Sequence, residues 1–127
     1  MTKEAAIYNF WSGFNIPAYE ENTVFAMAKA ENAPAYPYIT YEINTDDYTD
    51  TAMPLSASIW YRSTSWNGIN AKKREISEAI GRGGKVLNCD GGYILIQKTH
   101  PFAQNMGESS DDMVKRTLLG ISVTYYT

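Results

Sequence analysis

The chain has 127 residues, the size of one ordinary domain, which excludes a large multidomain enzyme or receptor. Its 44% hydrophobic and 20% charged residues suit a folded protein that needs neither disulfide nor metal to hold its core, and a formal charge of −3 argues against a nucleic-acid binder built on phosphate neutralisation. The outlying quantity is aromatic content: ten Tyr, three Trp and four Phe, or 13%.

Residues 3–14 read as a helix, because Ile7, Phe10, Trp11 and Phe14 fall at i, i+3, i+4 and i+7. Glu4 suits its positive end, and Gly13, Asn15 and Pro17 stop it. Residues 15–35 are expected to form a long polar connection holding Pro17, Pro34 and an Ala-rich patch at 26–30, and connections of that length tend to carry function. The run 36–44 predicts a first strand with Ile39, Tyr41 and Ile43 on one face and Pro37 at its start. Acidic residues Asp46, Asp47 and Asp50 break the pattern. Pro54 to Arg62 then resumes it, with Leu55, Ala57, Ile59 and Tyr61 alternating against Ser56, Ser58, Trp60 and Arg62, which makes a hairpin or meander with a loop of about ten residues.

After the capping types Ser63, Thr64 and Ser65, residues Trp66, Ile69, Ile76 and Ile80 fall on one side of a second helix, stopped by Gly81, Gly83 and Gly84. Strands are predicted at 85–89 and 93–98 around Asp90-Gly91-Gly92, the strongest tight-turn signal in the chain. Thr99 to Asp112 is expected to be a second long polar connection. Lys115 to Tyr126 closes the series as a strand with Leu119, Ile121, Val123 and Tyr125 on one face. This order predicts a single α+β domain over 1–127, a mainly antiparallel sheet with two helices packed on one face and long loops.

Chemical motifs fail on inspection. Single copies of Cys89 and His100 exclude a Cys/His metal cage within one chain and any disulfide framework, and Cys89 reads as a small sheet residue. Gly81-Arg-Gly-Gly-Lys85 follows a helix and precedes a strand, the reverse of a phosphate loop, and Val86 stands where that motif needs Ser or Thr; it reads as a helix C-cap. The acidic loop lacks the ligand spacing of an EF-hand and reads as a solvated or interface segment. His100 has Ser109, Ser110, Asp111 and Asp112 nearby in sequence, which does not make a triad, and it reads as a turn residue before Pro101. The aromatic strands lack the interleaved Arg and Lys that would hold phosphates, so outward rings, Trp60 above all, read either as protein-contact anchors or as simple sheet packing. Neither a secretion signal nor a run of about 20 apolar residues is present, so synthesis and folding in a cytoplasm, away from membrane, are expected.

The average charge conceals a polarity. Residues 1–61 hold two Lys against eight Asp or Glu, a balance of −6, whereas residues 62–100 hold seven Lys or Arg against three acids, a balance of +4. Interleaving on the surface would erase this difference. Separate faces would instead favour head-to-tail self-association.

The segments Tyr8–Phe14, Ile16-Pro-Ala-Tyr-Glu20, Tyr36-Pro-Tyr-Ile-Thr-Tyr-Glu42, Leu55–Arg62 running into Ser65-Trp66, and Gly81-Arg-Gly-Gly-Lys85 together resemble the tail terminator, or tail completion, proteins of long-tailed bacteriophages, related in plan to the minor tail protein U of lambdoid phages. The resemblance spans nearly the whole chain, including Pro101–Met106 and the Ser110–Met113 approach to the last strand, which carry no chemical signature. It implies a structural virion subunit, with no active site or cofactor, in a homo-oligomeric ring, usually a hexamer, that caps the head-proximal end of the tail tube. Such a ring ends tube polymerisation and joins the head connector, and DNA passes through its lumen without specific binding. The partners implied are a second copy, the tail tube protein and the head–tail connector protein. On this reading the subunit-interface candidates are Asp46, Asp47, Asp50, Trp60, Arg62, Arg82 and Lys85, and the candidates for tube or connector contact are Tyr19, Glu20, Phe102, Gln104 and Met106. A neck or minor capsid protein, a small hydrolase using His100, and a module binding a peptide at its sheet edge are the competing readings.

Overall fold

The computed structural model describes residues 1–29, 34–107 and 111–127. Helix α1 (Lys3–Ser12) starts where the Thr2 hydroxyl accepts the Ala5 amide at 3.1 Å and ends where the Gly13 amide turns back to the Phe10 carbonyl. The predicted stripe is its buried side: Ile7, Phe10, Trp11 and Phe14 all lie in the core, with the Phe10 and Trp11 rings edge-on at 4.9 Å and Trp11 stacked on Tyr41 at 6.2 Å.

The expected loop over 15–35 is corrected. It contains strand β1 (Ala18–Glu20) and helix α2 (Glu21–Lys29). Three residues are too few for alternation to show, and the helix is started by a side chain the sequence did not advertise: the Glu20 carboxylate accepts the amides of Asn22 at 3.0 Å and Thr23 at 3.3 Å. Part of the Ala-rich patch continues beyond Lys29, outside the described residues.

Strand β2 (Tyr38–Tyr41) is shorter than predicted, and an eleven-residue connection leads to β3 (Met53–Arg62). Ser65 Oγ accepts the Asn67 amide at 3.1 Å as α3 (Asn67–Ile80) begins, and Gly81 ends it at φ 73°, a conformation costly for any residue with a Cβ. Strands β4 (Lys85–Cys89) and β5 (Gly92–Gly107) form the predicted tight hairpin, with Gly91 at φ 84°. Cys89 is a partly buried residue of β4.

The second long connection is also corrected: through Gly107 it is strand. Lys98 pairs Ile121 and Ala103 pairs Leu119, so four residues, Thr99 to Phe102, bulge out opposite Gly120, after which pairing resumes to Gly107. The bulge carries His100 and Pro101, whose turn-like composition disguised a continuing strand.

With β6 (Val114–Tyr126) the six strands run β1-β2-β3-β6-β5-β4, antiparallel throughout except for the β1–β2 pair at one edge. The described residues thus give a mixed α and β fold with three helices and a mostly antiparallel sheet. Cross-strand partners Ile39–Ile59, Tyr41–Ala57, Leu55–Ile121, Ala57–Leu119, Ile96–Val123 and Ile94–Tyr125 share one face, and their side chains join those of α1 and Ile69, Ile76 and Ile80 of α3 in one core. No described helix is long and apolar enough to cross a membrane.

Candidate functional site

Alternation sends every second residue of these strands to the other face, where two rows cross the sheet. One runs Tyr38–Trp60–Arg116–Met106 and the next Tyr19–Thr40–Ser58–Leu118–Gln104, each residue directly opposite its neighbour. Register alone therefore brings Tyr19, Trp60, Gln104 and Met106, chosen from sequence for different reasons, onto one surface drawn from five strands.

Trp60 is the centre of the upper row. Its indole N–H donates to Thr40 Oγ1 at 3.0 Å, its ring stacks on Tyr38 at 6.1 Å, and the Arg116 guanidinium lies 4.9 Å from its centroid. Arg116 Nε also donates to Ser58 Oγ at 3.1 Å. The ring of Tyr38 is contacted by Tyr19 and by Tyr36, which is 39% exposed and forms the rim of the strip. Burial, with the neighbouring Tyr36 and Tyr19, pushes the Tyr38 hydroxyl up to about 12. Among the described residues no carboxylate pairs with Arg116, so this half-buried strip carries one uncompensated cation.

The remaining candidates do not converge on it. Asp46 and Asp47 lie in the β2–β3 connection beside the start of α1, where Lys3 Nζ donates to the Asp47 carboxylate at 3.0 Å and the Asp46 carbonyl at 2.6 Å. Asp50 holds a left-handed backbone at φ 49°. Arg62 ends β3 and is paired with Asp111 at 3.3 Å, whose carboxyl is held below its usual range by the Met113 amide and by Arg62. Arg82 and Lys85 are exposed at the far edge, at the turn into β4, several strands away from Arg62. Glu20 is committed to the start of α2. Phe102 lies in the bulge with the Lys98 ammonium 5.7 Å from its ring, and Lys98 in turn donates to Ser77 Oγ at 3.0 Å.

His100 is exposed in the bulge, Asp111 is engaged by Arg62, and Ser109 and Ser110 lie outside the described residues. Among the described residues no three His, Cys, Asp or Glu side chains are grouped to hold a metal ion. A groove of about 300 Å³ between α1 and β4, lined by Met1, Asn9, Phe10 and Val86, is separate from the aromatic strip.

Sequence reasoning missed Arg116, Tyr36 and Tyr38 as parts of this surface. The period-two pattern of β6 held the signal for Arg116, since it places residue 116 opposite the core-facing 119 and 121. Comparison with protein-family models, with curated protein sequences and with solved structures returned no match.

Proposed function

We propose that this chain is a structural subunit of a long-tailed phage, a tail terminator that assembles as a ring, usually of six, on the head-proximal end of the tail tube. The observation that carries the reading is the strip of Tyr19, Tyr38, Trp60, Arg116 and Met106 on the sheet face turned away from the core. Tyr, Trp, Arg and Met are the residues that anchor protein–protein contacts, and here they are fixed by strand register rather than by loops. The resemblance of the sequence to tail terminators names the partners: a second copy, the tube protein below and the connector above. In this reading α1 and α3 lie together on the opposite face of the sheet and stiffen it, Gln104 and Met106 lie at the tube or connector side, and the negative overall charge lets DNA pass the lumen without binding. The ring acts in the virion by occlusion and recognition, with no covalent step.

Electron microscopy of tails assembled without the protein tests this directly. Overlong tubes are expected. Tubes of normal length that fail to join heads would overturn the terminator reading in favour of a neck protein.

A further inference from the structure

The acidic β2–β3 connection forms a knob exposed at every residue from Asn44 to Ala52 except Thr49. Its backbone is fixed to the end of β6, with the Tyr48 amide donating to the Thr127 carbonyl at 3.0 Å and the Thr49 amide to the Tyr125 carbonyl at 3.1 Å. Tyr48 packs edge-on against Tyr126 at 5.9 Å, yet is 63% exposed, the most exposed large apolar side chain of the described residues. Asp46 and Asp50 flank it, and neither carboxylate has a cationic partner among the described residues. An exposed ring carrying two unpaired acids on an ordered backbone is a preorganised contact element.

Its complement is on the same chain. The Trp60–Arg116 stack offers an aromatic surface with one uncompensated guanidinium, and Arg62, already paired with Asp111, stands beside it at the end of β3. Knob and socket sit toward opposite ends of β3: the acidic connection enters at Met53, and Trp60 lies seven residues on, more than about 20 Å along an extended strand. One copy therefore cannot fill its own socket. We infer that the Tyr48 knob of one copy docks on the Trp60–Arg116 socket of the next, its acids facing Arg116, in a head-to-tail contact that repeats around the assembly. The inference rests on the ring reading above and names the contact which that reading leaves open. It also reassigns the partner of the acidic loop, from Arg62 and the edge residues Arg82 and Lys85 to Arg116.

Charge exchange tests it. Sedimentation velocity and native mass spectrometry would compare the wild-type chain, Asp46→Lys with Asp50→Lys, Arg116→Glu, and an equimolar mixture of the two variants, with circular dichroism melts confirming that each variant is folded; Asp47 is left in place because it pairs with Lys3 within the chain. The wild type is expected to associate, each variant to associate about tenfold more weakly or worse, and the mixture to recover wild-type assemblies, because each reversed knob then meets a reversed socket. Should Arg116→Glu fail to fold, Trp60→Ala replaces it and is expected to abolish association with no recovery on mixing. Variants that associate like the wild type, a mixture of the two charge variants no better than its components, or a wild type that stays monomeric would each overturn the contact. Tail length in the absence of the protein is read separately: overlong tubes with unaffected charge variants would reject this contact and keep the terminator reading, and the opposite pair of results would do the reverse.

Discussion

Gly120 lies under Thr99 so closely that a Cβ on it would come within 2.2 Å of the Thr99 hydroxyl and 3.2 Å of the Pro101 carbonyl. The bulge of β5 folds over the one position of β6 that has no side chain. Gly120→Ala should therefore force the bulge outward and destabilise the fold by about 1–3 kcal/mol, visible as a lower denaturant midpoint with an unchanged slope. Gly107→Ala, in open space, is the control and should be close to neutral.

Deleting residues 103–107 should prevent folding rather than trim a loop. Those five residues pair with Leu119 back to Lys115, so their loss strips one side of β6 along five of its thirteen residues. Circular dichroism of the deletion variant should show loss of the cooperative melt, whereas a folded product would mean that this end of β5 contributes little.

The two tryptophans Trp11 and Trp60 should separate stability from association. Trp11 is 1% exposed between α1 and Tyr41, and Trp11→Ala should cost about 3–5 kcal/mol of folding free energy. Trp60→Ala gives up one stack, one cation–π contact and one hydrogen bond at a half-exposed site, roughly 1–2 kcal/mol, while removing the centre of the proposed interface. Urea titrations paired with sedimentation would distinguish the two effects.

Alkali should unfold the protein above the ordinary tyrosine range. Tyr125 is buried, donates its hydroxyl to the Asn44 carbonyl and faces Glu4 and Asp46, and burial first, then those carboxylates, pushes it up to about 12, as burial pushes Tyr38. Both hydroxyls stay protonated in the folded chain at a pH where the unfolded chain has begun to lose its protons near the ordinary tyrosine value of 10.0, so the folded state binds more protons and stability falls as pH rises from about 10 to about 12. A spectrophotometric titration should show at least two of the ten tyrosines ionising late, together with loss of structure.

The strands that alternate without interruption, β3 and β6, and the hairpin at Asp90-Gly91 were legible because side-chain period and turn chemistry agree there. The stretch from Thr99 to Gly107 was not, because a bulge resets the alternation and places His, Pro, Gln and Asn where a strand is expected to be apolar. The start of α2 escaped notice because a Glu that belongs to a strand caps it. For the candidate surface, Trp60 was visible from the alternation of its own strand. Its partners Tyr38, Arg116 and Met106 come from three other strands, and only register, which depends on the order of strands in the sheet, puts them in one row.

That strand order also sets when the molecule can exist. β6 is the last strand in the sequence and an interior one in the sheet, hydrogen-bonded to β3 on one side and β5 on the other. Without residues 114–126, β1, β2 and β3 form one set of strands and β4 with β5 another, unconnected, each lacking the neighbour that would cover its long open edge. Closing the sheet thus waits for β6, and a chain lacking residues 114–126 is expected to leave two exposed edges rather than a smaller working subunit.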